Sequence, residues 1–246
     1  FMPRFVDLVR NIIGTALSIL GDDANLDVEL ADPDHWLESR DEAALMNGAN
    51  LAAVGSELIQ FASAVPIGPK RFRLSGLLRG RGGTEWAMGS HAVGDTFVLI
   101  VPGALQEVVL PPLAIGTSVA VRARGLADDD AEPVERVVTG EAMRPPSPMD
   151  LIAEITGDGG LSVSWVRRSR LGWLWPDGSE VPLGESAERY RVTVEGSATT
   201  AAFEAFEPRI VIPADALAGM TGTMTISVVQ LGDFAQSRPA TTFIEI

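Results

Sequence analysis

Apolar and polar residues alternate along much of this chain, and this two-residue period indicates β-strands with one buried and one solvated face. From Leu26 to Leu30 every second residue is apolar, and the residues between them are acidic. Tyr190, Val192 and Val194 alternate with polar residues in the same way. The pattern therefore predicts a mainly β protein.

The first part of the chain is predicted to be a small antiparallel β domain, either a meander or a barrel-like structure. Gly55 and Ser56 separate two strand-like runs, and glycine supplies the positive φ of a tight hairpin turn. A longer turn at residues 66–70 leads to the third run. The three strands are expected at residues 50–54, 57–61 and 71–78, so that the meander ends at Arg79.

Other segments of this domain carry less regular patterns. Residues 38–46 are expected to form a short helix, and Thr84 is expected to cap another at residues 85–90. The apolar run at residues 96–101 is typical of a strand buried on both faces. Residues 5–20 are too few and too polar to span a bilayer, so a buried strand or helix is expected there.

Prolines crowd residues 143–149, where they stiffen the backbone and mark the expected domain boundary. About seven short strands follow, with Trp165 on an early strand and Tyr190 on the next, which favours a fibronectin type III-like β-sandwich. The tyrosine that this family usually has near the start of strand F is missing. We predict a β domain at residues 1–143, a linker at 144–149 and a fibronectin type III-like domain at 150–246.

Composition excludes several classes of function. The chain has no cysteine, which excludes disulfides, thiolate zinc sites and a cysteine nucleophile. Its formal net charge of −14 disfavours nucleic-acid binding, because an acidic surface repels phosphate groups. A hydrophobic content of 46% is sufficient for well-formed cores.

Catalytic constellations are incomplete in this sequence. The two histidines, His35 and His91, are too few for a three-histidine zinc site, and both are expected on the surface or in loops. Acidic residues number 33, so a neighbouring pair of carboxylates does not by itself identify a glycosidase. We predict no catalytic residue, no cofactor and no metal ion, and we expect that the chain is not an enzyme.

A glycine-rich turn with Arg79 and Arg81 follows the meander. It lacks the lysine and the spacing of a P-loop, and it does not match the G-x-G-x-x-G dinucleotide motif. We interpret it as a structural turn whose arginines form internal ion pairs or subunit contacts.

Trp173 and Trp175 lie in an unusually long insertion between the second and third strands of the sandwich. Exposed tryptophans can stack on sugars or anchor a partner surface. These two can also fold back over the sandwich edge, and the sequence leaves both interpretations open.

Three separated segments resemble a single family in the same order. They are LESRDEAALMNGANLAAVGSELIQF at residues 37–61, FRLSGLLRGRGGTEWAMGSHAVGDTFVLI at residues 72–100, and RPPSPMDL, LSVSWVRRSR and VPLGESAERYRV within residues 144–192. These segments are similar to the large tail-tip proteins of gene transfer agents and related siphophages, which are the baseplate megatron or host-specificity proteins.

The resemblance implies a virion structural protein, the C-terminal part of a tail-tip protein. Its expected partners are other tail or baseplate proteins, with assembly as a homotrimer, and cell-envelope glycans. Neither nucleic acid nor a membrane is expected as a partner, and the expected location is the tail tip of the particle. Two alternatives remain: a carbohydrate-binding accessory module that uses Trp173 and Trp175, and a glycoside hydrolase fragment.

Overall fold

The computed structural model describes residues 5–6, 12–16, 25–106, 110–122, 132–171 and 181–245. Its internal contacts divide the chain into two compact units, residues 2–110 and residues 111–246. The protein is mainly β, and the strands of each unit pair in antiparallel fashion. The predicted fold class is therefore confirmed.

The first unit contains a closed barrel. Its strands are β1 (Phe5–Val6), β2 (Ile12–Ala16), β3 (Asn25–Leu30), β4 (Leu51–Val54), β5 (Glu57–Gly68), β6 (Arg71–Arg81), β7 (Thr96–Leu99) and β8 (Leu105–Gln106). The barrel order is β2-β3-β6-β5-β4-β7, closed by pairing of β7 with β2, and β1 pairs with β8. Its helices are α1 (Glu42–Met46) and the 3-10 turns Glu85–Ala87 and Pro102–Ala104.

Alternation along the strands fills the inside of the barrel. In β3 the predicted pattern is confirmed, because Leu26, Val28 and Leu30 are buried while the acidic residues between them face outward. The barrel core also includes Leu37, Ala52, Val54, Ile59, Phe61, Phe72, Leu74 and Phe97.

The hairpin of β5 and β6 is longer than the sequence predicted. β5 continues through Pro66, which lies at a register shift of the ladder, where a missing N–H interrupts the regular pairing least. The turn contracts to Pro69 and Lys70, and β6 continues beyond Arg79. The predicted meander is thus one part of the closed barrel.

The predicted helix at residues 38–46 is shorter in the structure. α1 begins only after Asp41, whose Oδ1 accepts a hydrogen bond from the Ala44 N–H at 2.8 Å. The preceding residues are not helical, and they bond to β5 instead, as when the Arg40 N–H donates to the Ala62 carbonyl.

The second unit contains a two-layer sandwich. Its strands are β9 (Ser118–Val121), β10 (Val134–Val137), β11 (Met149–Ile155), β12 (Leu161–Val166), β13 (Tyr190–Glu195), β14 (Thr200–Ala205), β15 (Arg209–Ile212), β16 (Thr223–Gln230) and β17 (Ala240–Glu245). One sheet has the order β11-β12-β15 and the other β14-β13-β16-β17, while β9 and β10 form a separate ribbon. These orders correspond to strands A-B-E and C′-C-F-G of a fibronectin type III domain, as predicted. The 3-10 turns of this unit are Pro112–Ala114, Glu141–Met143 and Ala214–Leu217.

An aromatic pair lies at the centre of the sandwich. The rings of Trp165 and Tyr190 meet edge to face, with centroids 4.9 Å apart and an interplanar angle of 69°. The Tyr190 hydroxyl donates to Glu188 Oε1 at 2.8 Å. Burial, together with this hydrogen bond and the Glu188 charge, raises the pKa of Tyr190. Both positions follow from the strand alternation seen in the sequence.

The proline-rich segment packs against the turn between β16 and β17. Pro145 is buried, the Arg144 Nη1 donates to the Gln236 carbonyl, and the Ser147 hydroxyl donates to the Arg238 carbonyl, each at 2.6 Å. The contact-based division of the chain lies earlier, before β9, whereas the sequence placed the domain boundary in the proline-rich segment itself.

Candidate functional site

The glycine-rich turn at the end of β6 closes on a buried carboxylate. Glu57, the first residue of β5, has a side chain that is 0% exposed. Arg79 binds both of its oxygens, with Nε–Oε1 and Nη2–Oε2 distances of 2.7 Å. The Gly80 N–H donates to Oε1 at 2.7 Å. Arg79 therefore forms an internal, bidentate ion pair.

A bulge in β6 allows two consecutive residues to reach the same carboxylate. Leu58 pairs with Arg81 and Gln60 pairs with Leu78, so β6 has an additional residue between these two pairs. Gly80 lies in this bulge with a φ of 62°, a left-handed conformation that favours glycine. The sequence therefore places glycine where the backbone must turn its N–H toward Glu57.

His91 supplies a further hydrogen bond to Glu57. Its Nε2 lies 2.5 Å from Glu57 Oε2, its Nδ1 lies 3.3 Å from Asp95 Oδ2, and its side chain is 3% exposed. His91 lies in a loop, as predicted, but its side chain is not on the surface. The imidazole ring is buried between the carboxylates of Glu57 and Asp95. No local motif could have indicated this contact, since Glu57 and His91 are 34 positions apart.

The environment of Glu57 lowers its pKa. Burial has the largest single effect and would raise the pKa, but the hydrogen bonds from Arg79, His91 and Gly80 and the charge of Arg79 outweigh it. The carboxylate accepts from Arg79 twice, from Gly80 and from His91, which uses about all the lone pairs it offers. A buried and saturated carboxylate cannot reach a substrate, so its role is to hold the barrel and its connection together.

Thr84 closes the same turn and does not cap a helix. Its Oγ1 accepts from the Leu58 N–H at 2.9 Å and donates to the Arg81 carbonyl at 2.8 Å. The predicted helix is reduced to the 3-10 turn Glu85–Ala87, because the hydroxyl is already bonded to β5 and β6. Within the described residues the Arg81 guanidinium makes no hydrogen bond or ion pair, and its predicted role in a subunit contact stays a prediction.

The connection between β6 and β7, residues 82–95, presents large apolar side chains to solvent. Trp86, Met88 and Val93 are exposed, whereas Ala87 between them is buried. Arg79 also reaches this connection, because its Nη2 donates to the Met88 carbonyl at 3.0 Å. The Glu57–Arg79 pair is therefore bonded both to the barrel wall and to the connection that carries the exposed apolar side chains.

A second buried carboxylate lies at one end of the sandwich. Glu185, whose side chain is 1% exposed, accepts from Arg170 Nε at 2.7 Å and from the Asp233 N–H at 2.9 Å. The Asp233 carboxylate in turn accepts from the Ser186 N–H. Glu185 and Ser186 belong to the β12–β13 connection and Asp233 to the β16–β17 turn, so these two loops hold each other.

Trp173 and Trp175 lie outside the residues that the structure describes, so their contact with glycans or a partner stays a prediction. In the described part of the chain, no group of three or more His, Asp or Glu side chains is arranged to hold a metal ion. No helix among the described residues is long and apolar enough to cross a membrane.

A known sequence family matches the first unit of the chain. The sequence model of a family described as Rcc01698-like, C-terminal, matches residues 9–98. This range begins before β2 and ends within β7, so it covers the barrel. A search of curated proteins found no match.

The solved structures to which this chain is similar include fibronectin type III domains and an extracellular region. A two-domain fibronectin type III segment of chicken tenascin is 11% identical, with 96% of this chain and 99% of that chain covered and a TM-score of 0.31. Domains d3-d4 of the rat CD45 extracellular region are 10% identical, with 60% and 73% covered and a TM-score of 0.34. A fibronectin type III domain of human KIAA0970 protein is 14% identical, with 40% and 71% covered and a TM-score of 0.31. The assignment of the fold rests on the strand order of the two sheets rather than on these likenesses.

Proposed function

We propose that this chain is a structural component of a phage-like tail tip, of the type found in gene transfer agents and related siphophages. One observation carries the proposal: the family match at residues 9–98 covers the barrel. Two of the three segments that resemble tail-tip proteins, residues 37–61 and 72–100, lie within or just beyond the same range.

The chemistry of the buried charged groups supports a structural role. Glu57 and Glu185 are both nearly inaccessible, and arginine and backbone N–H groups occupy their oxygens. A general acid or base must come within hydrogen-bond reach of a substrate. These carboxylates fix strands and loops instead.

In this proposal the chain works with other tail or baseplate proteins, as a homotrimer, at the distal end of the particle. The exposed side chains of the β6–β7 connection, Trp86, Met88 and Val93, include residue types enriched in protein interfaces, which favour tryptophan and methionine. The sandwich supports assembly and contact with the cell envelope. The barrel and the sandwich thus have separate structural tasks.

Immunogold labelling of intact particles tests the location. Antibodies against the isolated chain are expected to label the distal end of the tail, and antibodies against a capsid protein serve as the control. Labelling of the capsid or of the tail shaft, or loss of the chain from purified particles, would overturn the proposal.

A further inference from the structure

Polar contacts rather than packing fasten the β6–β7 connection to the barrel. Along residues 82–95, all of which the structure describes, Ala87 is the one buried apolar residue. Burial of apolar surface is the main source of local stability, and segments with few buried apolar contacts open at a low free energy. The hydrogen bonds of this connection therefore decide whether it stays in place.

These bonds hold the connection at its two ends and at its centre. At the first end the Thr84 hydroxyl accepts from the Leu58 N–H of β5. At the second end the Gly94 N–H donates to the Ala16 carbonyl of β2 at 2.9 Å. Between these ends, His91 Nε2 contacts Glu57 at 2.5 Å, and Arg79 Nη2 of β6 donates to the Met88 carbonyl at 3.0 Å.

The hydrogen bonds on Glu57 are divided unequally between the barrel and the connection. Arg79 and Gly80 belong to β6 and approach Glu57 within the barrel wall. His91 alone among these partners belongs to the connection. Loss of the His91 contact leaves the carboxylate paired with Arg79, so the buried charge stays compensated and the wall remains intact.

We propose that residues 85–93 form a strap that opens as a unit while the barrel stays closed, and that His91 is its latch. The latch positions Trp86 and Val93, so opening rearranges the exposed apolar surface of the barrel. This inference does not depend on the proposed function, because it follows from burial and hydrogen bonding alone.

Thiol labelling measures the opening directly, because the natural chain has no cysteine. The Ala87→Cys variant places a single thiol at the buried position of the strap, and the Ala52→Cys variant places one in the barrel core as a matched control. The thiol of Ala87→Cys is expected to react faster than that of Ala52→Cys in native buffer. Adding His91→Ala is expected to accelerate the first reaction about tenfold to a hundredfold and to leave the second unchanged.

Equal rates at the two positions in the wild-type background would overturn the proposal, because labelling would then require global unfolding. Equal acceleration of both by His91→Ala would overturn it as well, since His91 would then support the whole barrel. No acceleration at Ala87→Cys would show that His91 is not the latch.

Hydrogen exchange of the full chain provides a measurement without cysteine variants. His91→Ala is expected to speed exchange within residues 85–93 while β3, β5 and β6 keep their protection. His35→Ala, the same substitution at the second histidine, is expected to leave this segment unchanged. Uniform loss of protection in the barrel, or unchanged exchange in the strap, would contradict the inference.

Discussion

The barrel and the sandwich each use a buried glutamate–arginine pair to fix a connection, but they place the glutamate differently. In the barrel, Glu57 belongs to a strand, and the connection comes to it through His91. In the sandwich, Glu185 belongs to the connection itself and bonds to a neighbouring turn. The barrel therefore holds its connection from a site within the wall, whereas the sandwich loops hold each other.

This difference determines what the loss of each glutamate should do. Removing Glu57 leaves the Arg79 guanidinium uncompensated inside the barrel wall. Removing Glu185 frees loops whose flanking strands keep their ladders and their aromatic core. Both are buried glutamate–arginine pairs. Substituting each glutamate therefore compares a pair whose glutamate lies in a strand with a pair whose glutamate lies in a loop.

The largest expected difference is between Glu57→Ala and Glu185→Ala. We expect Glu57→Ala to lower the free energy of unfolding of the barrel by about 3–5 kcal/mol, as when one partner of a buried ion pair is removed. We expect Glu185→Ala to cost about 1–3 kcal/mol and to loosen mainly the loops. Hydrogen exchange resolved by segment measures both, and equal losses in the strands of the two units would contradict the comparison.

Gly80→Ala tests the backbone conformation that directs the Gly80 N–H toward Glu57. Gly80 has a φ of 62°, and a Cβ there would lie 2.6 Å from Glu85 Cγ. We expect a loss of about 2–3 kcal/mol, from backbone strain and the close contact together. Gly219→Ala in the sandwich unit is the matched control, since its φ of 83° is also left-handed but nothing lies within 4 Å. Equal effects in urea unfolding would show that strain alone matters.

Acidification should destabilise the barrel through Glu57. Because its folded pKa is lowered, the stability it contributes is present above the unfolded pKa of about 4.3 and is lost as the pH falls through the folded value. We expect Glu57→Gln to flatten the dependence of barrel unfolding on pH below the unfolded pKa of about 4.3. Asp27→Asn is the control: its pKa is also lowered, first by the hydrogen bond from Arg73, but that pair is exposed and should contribute less.

Tyr190→Phe probes the sandwich centre with a smaller change. The substitution removes the hydrogen bond to Glu188 and keeps the ring packed on Trp165. We expect a loss of about 1 kcal/mol in the unfolding free energy of the sandwich. A loss comparable to that of Glu57→Ala would mean that the sandwich also depends on one polar centre.

Gln230→Met should have the smallest effect and the opposite sign. Gln230 is buried in the sandwich, and its side-chain amide has no hydrogen-bond partner within the described residues. Replacing an unsatisfied amide by an apolar side chain of similar size should be neutral or raise stability by up to about 1 kcal/mol. A clear loss in thermal unfolding would show that the amide has a partner, such as a buried water molecule.

The individual strands and the sandwich fold could be predicted from the sequence better than the closure of the barrel. Alternation correctly assigned β3 and β13, because each has one buried and one solvated face. Barrel closure depends on Ile12 of β2 pairing with Leu99 of β7, and no local pattern indicates pairing over that separation. The sandwich was predictable because its strand count and its Trp and Tyr positions are regular features of the fibronectin type III pattern.

The centre around Glu57 could be predicted only in part. The glycines indicated a turn, and Arg79 was a candidate for an internal ion pair. Which of the 33 acidic residues pairs with Arg79 could not be predicted. The pairing register of β5 and β6, including the bulge in β6, brings Glu57 to Arg79, and this register depends on the tertiary structure. His91 was missed for the same reason, since a histidine between two carboxylates has no signature in spacing.

Closure of the barrel also restricts how it can join a larger assembly. Each of its six strands has a hydrogen-bonded neighbour on both sides along part of its length, so the closed wall leaves fewer strand edges than an open sheet for a neighbouring chain to extend. A neighbour of the closed part of the wall must recognise side chains on the wall and its connections. Association through that part is therefore set by surface shape and chemistry, and it can end at a fixed number of copies instead of propagating as a fibre.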